Sequence, residues 1–194
     1  MVAGHRGDVA AIAAALHDPD PGTRAAAVGA AARAGSLDDA GAAAALADED
    51  ATVRARAVEV CAAGAAGTAV IAAVVERLAD EDATVAEVAA WAIGELGERA
   101  PLPPGTVARL SAAATGHDDP LVREAAVASL GALGDPEGLP AILVATADRP
   151  AVRRRAVLAL APFDGPDVSA ALERARADRD WQVRDAAELL LGDD

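Results

Sequence analysis

The sequence predicts an all-α solenoid, in which six helix pairs stack one on the next. Three observations predict it. A phrase of the form Asp-x-Asp-x-x-Val-Arg, followed by a run of Ala and Val, is written six times, centred on Arg24, Arg54, Ala86, Arg123, Arg153 and Arg184. Successive centres lie 30, 32, 37, 30 and 31 residues apart. A period in this range marks one supersecondary unit per repeat, each burying its apolar face against its neighbour. Finally, 57 of the 194 residues are Ala, the strongest helix former, while Trp91, Phe163 and Trp181 are the only aromatics. A core with so little bulk requires helices that approach closely.

Each unit reads as helix, turn, helix, within one domain spanning residues 1–194. The repeats run roughly over 8–35, 38–64, 68–97, 104–134, 137–163 and 167–192. The first helices are expected over Asp8–Leu16, Asp38–Leu46, Thr68–Leu78, Thr106–Ala114, Gly138–Ala147 and Asp167–Ala177, each with apolar residues on one side, as in Val70, Val74 and Leu78. The second helices carry stronger signals. Asp20, Asp50, Asp82, Asp119 and Asp180 stand at the N-cap, where a carboxylate accepts orphan backbone N–H groups and meets the positive end of the helix dipole. Pro21, Pro120 and Pro150 fall at the first helical position, where a missing N–H costs nothing. The fifth unit departs, with Arg149 at the cap and Asp148 one residue earlier. Gly35, Gly64, Gly97, Gly134 and Gly192 mark the helix ends. Buried stripes recur at spacings of three and four, such as Val53, Ala57, Val58 and Cys61, or Val122, Ala126, Val127 and Leu130. Cys61 therefore reads as a small buried thiol rather than a nucleophile. Residues 98–106, with three prolines and a glycine, lengthen the third spacing and read as an ordered connector.

Charge narrows the function. The net charge is −14, and every base is Arg, a usage that points to a GC-rich genome. Residues 1–147 hold 21 acids against 9 bases, and residues 148–194 hold 10 against 8. Such a surface repels phosphate backbones, so no nucleic-acid partner is expected. It serves solubility, or it attracts a basic partner. A single cysteine precludes an internal disulfide and suits a cytoplasmic location. No apolar run has the length and bulk of a membrane span or a secretory leader, so no membrane partner is expected.

The phrases Asp48-Glu-Asp-Ala-Thr-Val-Arg54 and Asp118-Asp-Pro-Leu-Val-Arg123, the latter followed by Ala125-Ala-Val-Ala-Ser-Leu-Gly131, resemble HEAT-like repeats of the short type also described in phycobilisome lyases. The resemblance covers nearly the whole chain and implies a right-handed superhelix whose second helices line the concave wall. It also implies that Arg24, Arg54, Arg123, Arg153 and Arg184 join neighbouring units in a polar ladder with acids such as Asp18, Asp48, Asp80, Asp148 and Asp178. The ladder should break in the third unit, where Ala86 replaces Arg. Related hydroxylases hold iron with His-Glu pairs, but none of His5, His17 and His117 is followed by Glu. Related DNA glycosylases use basic, aromatic-lined surfaces, which this acidic chain lacks.

No catalytic, metal-binding or cofactor-binding set is visible: there is no nucleophile–base pair, no Cys/His cluster and no phosphate loop. The candidate site is for a partner. Glu87, Trp91 and Glu95, four apart on the third unit's second helix, form a stripe off the buried face, with Glu59 and Glu124 on flanking second helices. An aromatic among acids suits an Arg- or Lys-bearing segment. Alternatively, Trp91 fills space left by Ala86 and a small-residue core. A second, basic group comprises Arg149, Arg153, Arg154 and Arg155, with Arg174, Arg176, Arg179 and Arg184 beyond it, and Trp181 reads as a terminal cap. The sequence thus points to a non-enzymatic protein-interaction scaffold whose partner carries a basic segment. Two rivals stand beside it: a lyase-like accessory subunit holding a small molecule between repeats, and a structural homo-oligomeric unit.

Overall fold

A computed structural model describes residues 3–64 and 66–192, with side chains from residue 8 onward. All regular structure among the described residues is helical, in twelve α-helices and two short 3-10 turns, with no strand. The backbone groups into two compact units, Met1–Leu96 and Gly97–Asp194, with the division close to the third helix pair's end.

The first unit holds α1 (Ala3–Ala15), α2 (Pro21–Arg33), α3 (Asp39–Leu46), α4 (Ala51–Ala63), α5 (Thr68–Glu76), which ends in a 3-10 turn at Arg77–Ala79, and most of α6 (Ala83–Gly97). Helix α2 packs on α4 and α3 on α5, so second helices stack on second helices and first on first. The expected caps form. Asp20 and Asp50 accept from Thr23 N and Thr52 N at 2.7 and 2.8 Å, and Asp82 accepts from Thr84 N at 2.9 Å. The core is made of small residues: Val53, Ala57, Val58, Val70 and Val74 are all but excluded from solvent. A Cβ on Gly29 in α2 would meet the Arg56 guanidinium, the movable end of that side chain.

The second unit holds α7 (Thr106–Gly116), α8 (Pro120–Leu133), a 3-10 turn at Pro136–Gly138, α9 (Leu139–Ala145), α10 (Pro150–Ala159), α11 (Pro166–Arg176) and α12 (Trp181–Leu191). Here α8, α10 and α12 stack in order, as do α7 and α9. Helix α8 meets α10 so closely that a Cβ on Gly131 would stand 2.7 Å from the Ala159 Cα. The helix ends differ in detail from expectation. Gly134 and Gly192 take positive φ just past α8 and α12, and Gly35 does so one residue after the α2 cap. Gly64 closes α4 in an extended conformation instead, and α6 runs through Gly97.

Candidate functional site

The repeated Arg is the best-defined polar element of both units. In the first, Arg24 donates through Nε and Nη2 to both carboxylate oxygens of Asp48 at 2.9 and 2.7 Å, and Arg54 does the same to Asp80 at 2.9 and 2.7 Å. In the second, Arg123 grips Asp148 at 2.7 and 2.9 Å, and Arg153 grips Asp178 at 2.9 and 2.7 Å. Each Nη1 turns back onto carbonyls of its own repeat's turn, as Arg54 does to Asp48 O and Glu49 O at 2.9 Å. Each acid also accepts a backbone N–H, as Asp80 does from Asp82 N at 3.1 Å. Bidentate, charge-assisted geometry of this kind is strong and directional.

These contacts hold the carboxyls below the usual aspartate range. The Arg hydrogen bond is the main cause for Asp48, Asp148 and Asp178. At Asp80 burial is the largest influence and pushes upward, but the Arg54 and Asp82 hydrogen bonds and the Arg54 and Arg77 charges together outweigh it. Two members of the expected ladder stand apart. Asp18 caps its own turn through Asp20 N at 2.9 Å, and Arg184 reaches the carbonyls of Asp178 and Arg179 rather than an acid.

The interruption at Ala86 has a counterpart that sequence reading missed. In the repeated phrase, the place held by Asp48 and Asp80 is taken in the fourth unit by His117. His117 keeps the local half of the acid's role: its Nδ1 accepts from Asp119 N at 3.1 Å, as Asp48 accepts from Asp50 N at 2.9 Å. The signal was available, because His117-Asp-Asp occupies the place of Asp48-Glu-Asp. His17 is exposed in its turn, and the His5 side chain lies outside the described residues.

Of the predicted partner-binding residues, Glu87, Trp91 and Glu95 share one side of α6 and belong to the first unit. Trp91 is 46% exposed while Ala90 and Ala92 beside it are fully buried. Its indole therefore leaves the helix on the solvent side. Glu59 holds the same register position on α4. Its carboxylate accepts from Arg56 Nη1 at 2.7 Å on the exposed surface. Glu87 and Glu95 are each engaged in an interaction of their own. Glu124 lies on α8 in the second unit and faces Arg155 at 3.6 Å. The acids are thus more internally matched than their spacing suggests. The i, i+3 position of Arg56 before Glu59 was the legible sign of this.

Cys61 is buried, and its thiol is pushed up to about 11 by burial, with Asp39 adding to the shift, so it remains protonated near neutrality. No group of His, Cys, Asp and Glu among the described residues could hold a metal ion, and no helix among them is long and apolar enough to cross a membrane. A cleft of about 620 Å³ in the second unit is lined by Leu143, Val144, Ala171 and Ala175 over the Arg153–Asp178 pair. Those two charges are spent on each other, while Thr146 and Arg174 also line the cleft.

A sequence profile described as HEAT repeats matches residues 71–148 and 107–192, which together make up more than half of the chain. No curated protein sequence matches it. Among solved structures, a designed armadillo repeat protein in complex with the peptide (KR)4 is similar at TM-score 0.65 and 17% identity, over 95% of this chain and 98% of that one. An engineered protein is similar at TM-score 0.63 and 19% identity, over 95% of each chain. A further designed armadillo repeat protein follows at TM-score 0.58 and 16% identity, over 93% and 97%. At these identities the likeness is one of fold.

Proposed function

Since this chain belongs to the HEAT repeat family, we propose that it is a non-enzymatic protein-interaction scaffold that takes a basic partner segment on the second-helix face of its first unit. Trp91 is the anchor, with Glu59, Glu87 and Glu95 around it. The observation that carries the reading is the exposure of Trp91, at 46%, on a helix whose other face is fully buried. A large indole left in water has burial energy in reserve for a partner, and Trp is the residue most enriched at binding hot spots. Charge supports the same partner. Residues 1–96 carry 15 acids and 6 arginines, a field that speeds the approach of a cationic segment. The internal pairing of Glu59 with Arg56 does not oppose this. Exposed i, i+3 pairs contribute little, so an incoming Arg or Lys can share the carboxylate. That a designed protein of similar fold holds (KR)4 makes such a segment a reasonable probe.

The test uses emission from Trp91 alone, in a Trp181→Phe chain titrated with (Lys-Arg)4. A saturable spectral change that weakens as salt is raised supports the reading. No response at low salt, or an equal response to (Ser-Gly)4, refutes it.

A further inference from the structure

We infer that the cleft beside α9 and α11 in the second unit binds a small amphipathic carboxylate, with its apolar body in the cavity and its head group on Arg174. The local sequence explains why the cleft exists. Helix α9 has 7 residues against 11 in its stacking neighbour α11. The side of α11 that lines the cleft carries Ala171 and Ala175, four apart and therefore on one face. A short helix beside small side chains leaves about 620 Å³ unfilled, a volume typical of small-molecule sites. The walls are largely apolar, with Leu143 and Val144 opposite the two alanines. Val144 stands 61% exposed at this cleft, whereas Ala141, Ile142 and Ala145 of the same helix are buried. An apolar side chain left in water beside a cavity favours an apolar occupant.

The charge of that occupant follows from which polar groups of the cleft remain uncommitted. Arg153 donates through Nε and Nη2 to Asp178 and through Nη1 to the Asp148 carbonyl. Asp178 accepts those two bonds and the Asp180 N–H at 2.8 Å. The Thr146 hydroxyl donates to the Leu143 carbonyl at 2.7 Å. Arg174 is exposed and makes no ion pair among the described residues, and its neighbour Glu173 faces Arg176 at 3.6 Å. Arg174 also lies three residues after Ala171, so its stem leaves α11 on the cleft side. The second unit as a whole is acidic, with 16 acids against 11 arginines. The preference for a carboxylate is therefore local: Asp178 is the one acid lining the cleft, it is neutralised by Arg153, and Arg174 remains as a free planar donor. A guanidinium can grip a carboxylate through two parallel N–H groups, and beside an apolar wall that contact is stronger than in open water.

Isothermal titration into the full chain tests this with four probes: octanoate, 1-octanol, octylammonium and acetate. The inference predicts saturable binding of octanoate, about tenfold tighter than 1-octanol, the effect of one charge-assisted contact. Octylammonium is expected to bind more weakly than either, and acetate, which lacks the apolar body, not to bind. Arg174→Gln should bring octanoate down to the level of 1-octanol and leave 1-octanol unchanged. Ala147→Trp, which fills the cleft from its exposed edge, should remove both. Both substitutions are at exposed positions outside the Arg–Asp ladder, so helical circular dichroism should match the parent. They also lie outside the first unit, so the outcome is independent of the Trp91 site. Octanoate that fails to saturate, binds no tighter than 1-octanol, or binds the Ala147→Trp chain as well as the parent overturns the inference. Equal loss of octanoate and 1-octanol in Arg174→Gln overturns the head-group assignment.

Discussion

Arg54 shows how much one side chain does in this chain. It is 6% exposed, joins Asp80 of the next repeat through two hydrogen bonds, and closes its own turn through two carbonyls. Truncation leaves buried Asp80 with only the longer cationic contact from Arg77, at 3.4 Å. Arg54→Ala is therefore expected to lower stability by about 3 kcal/mol, the usual cost of breaking a well-formed buried pair, read as a lower urea midpoint at unchanged slope. An unaltered midpoint would contradict the structural role. The same pairs set the acid response. Asp48, Asp80, Asp148 and Asp178 have carboxyls depressed below 3.8 in the folded chain. Their contribution is complete above the unfolded value of about 3.9 and is lost as pH falls through the lower folded values. The urea midpoint should hold between pH 7 and about 5 and fall below about 4. A midpoint that rises on acidification would show that these carboxyls are not held by their arginines. The ladder arginines were legible because each sits in a repeated phrase. Partner choice was less so: Arg24 reaches Asp48, 24 residues on, and only the stacking of repeats makes that the near acid. His117 was missed because it preserves a hydrogen bond, not a charge.

At the scale of helices, caps and periodicity were sufficient to place nearly every element. Thr68 and Thr106 open α5 and α7 where expected, and Pro120 and Pro150 open α8 and α10. Ends were harder to read, because a glycine can stop a helix with positive φ, as Gly134 does, or simply leave it, as Gly64 does. Nothing local to residue 131 reveals that α10 approaches it. Its Cβ position is set by a helix some thirty residues away in sequence. Gly131→Ala places a methyl 2.7 Å from the Ala159 Cα and Cβ, and backbone cannot swing aside. The substitution is expected to cost about 1–3 kcal/mol, the range for overpacking, although Ala is the better helix former. Thermal unfolding by circular dichroism checks the sign. A higher melting temperature would mean that propensity outweighs the close approach of α8 and α10.

For the whole molecule, composition already limited the possibilities. A chain with 53% apolar residues, so many of them Ala, makes a core from repetition rather than bulk. The large side chains that remain in water then stand out as candidates for contact. Spacing placed Trp91 off the buried stripe and left open whether it fills space between helices; it stands 46% exposed. The candidate acids were inferred from the same spacing; the i, i+3 step from Arg56 to Glu59 signals one pairing, whereas that of Glu124 with Arg155 depends on the stacking of α8 on α10. Residues 98–106, read from the sequence as an ordered connector within one domain, open the second unit. The central claim is that the first unit binds a basic segment through Trp91. Isothermal titration of (Lys-Arg)4 into the full chain and its Trp91→Ala variant tests this most directly. The account predicts measurable binding to the parent chain and affinity reduced at least about thirtyfold in the variant, equivalent to the roughly 2 kcal/mol of a hot-spot residue, with helical content unchanged. Equal affinity for both proteins would contradict it.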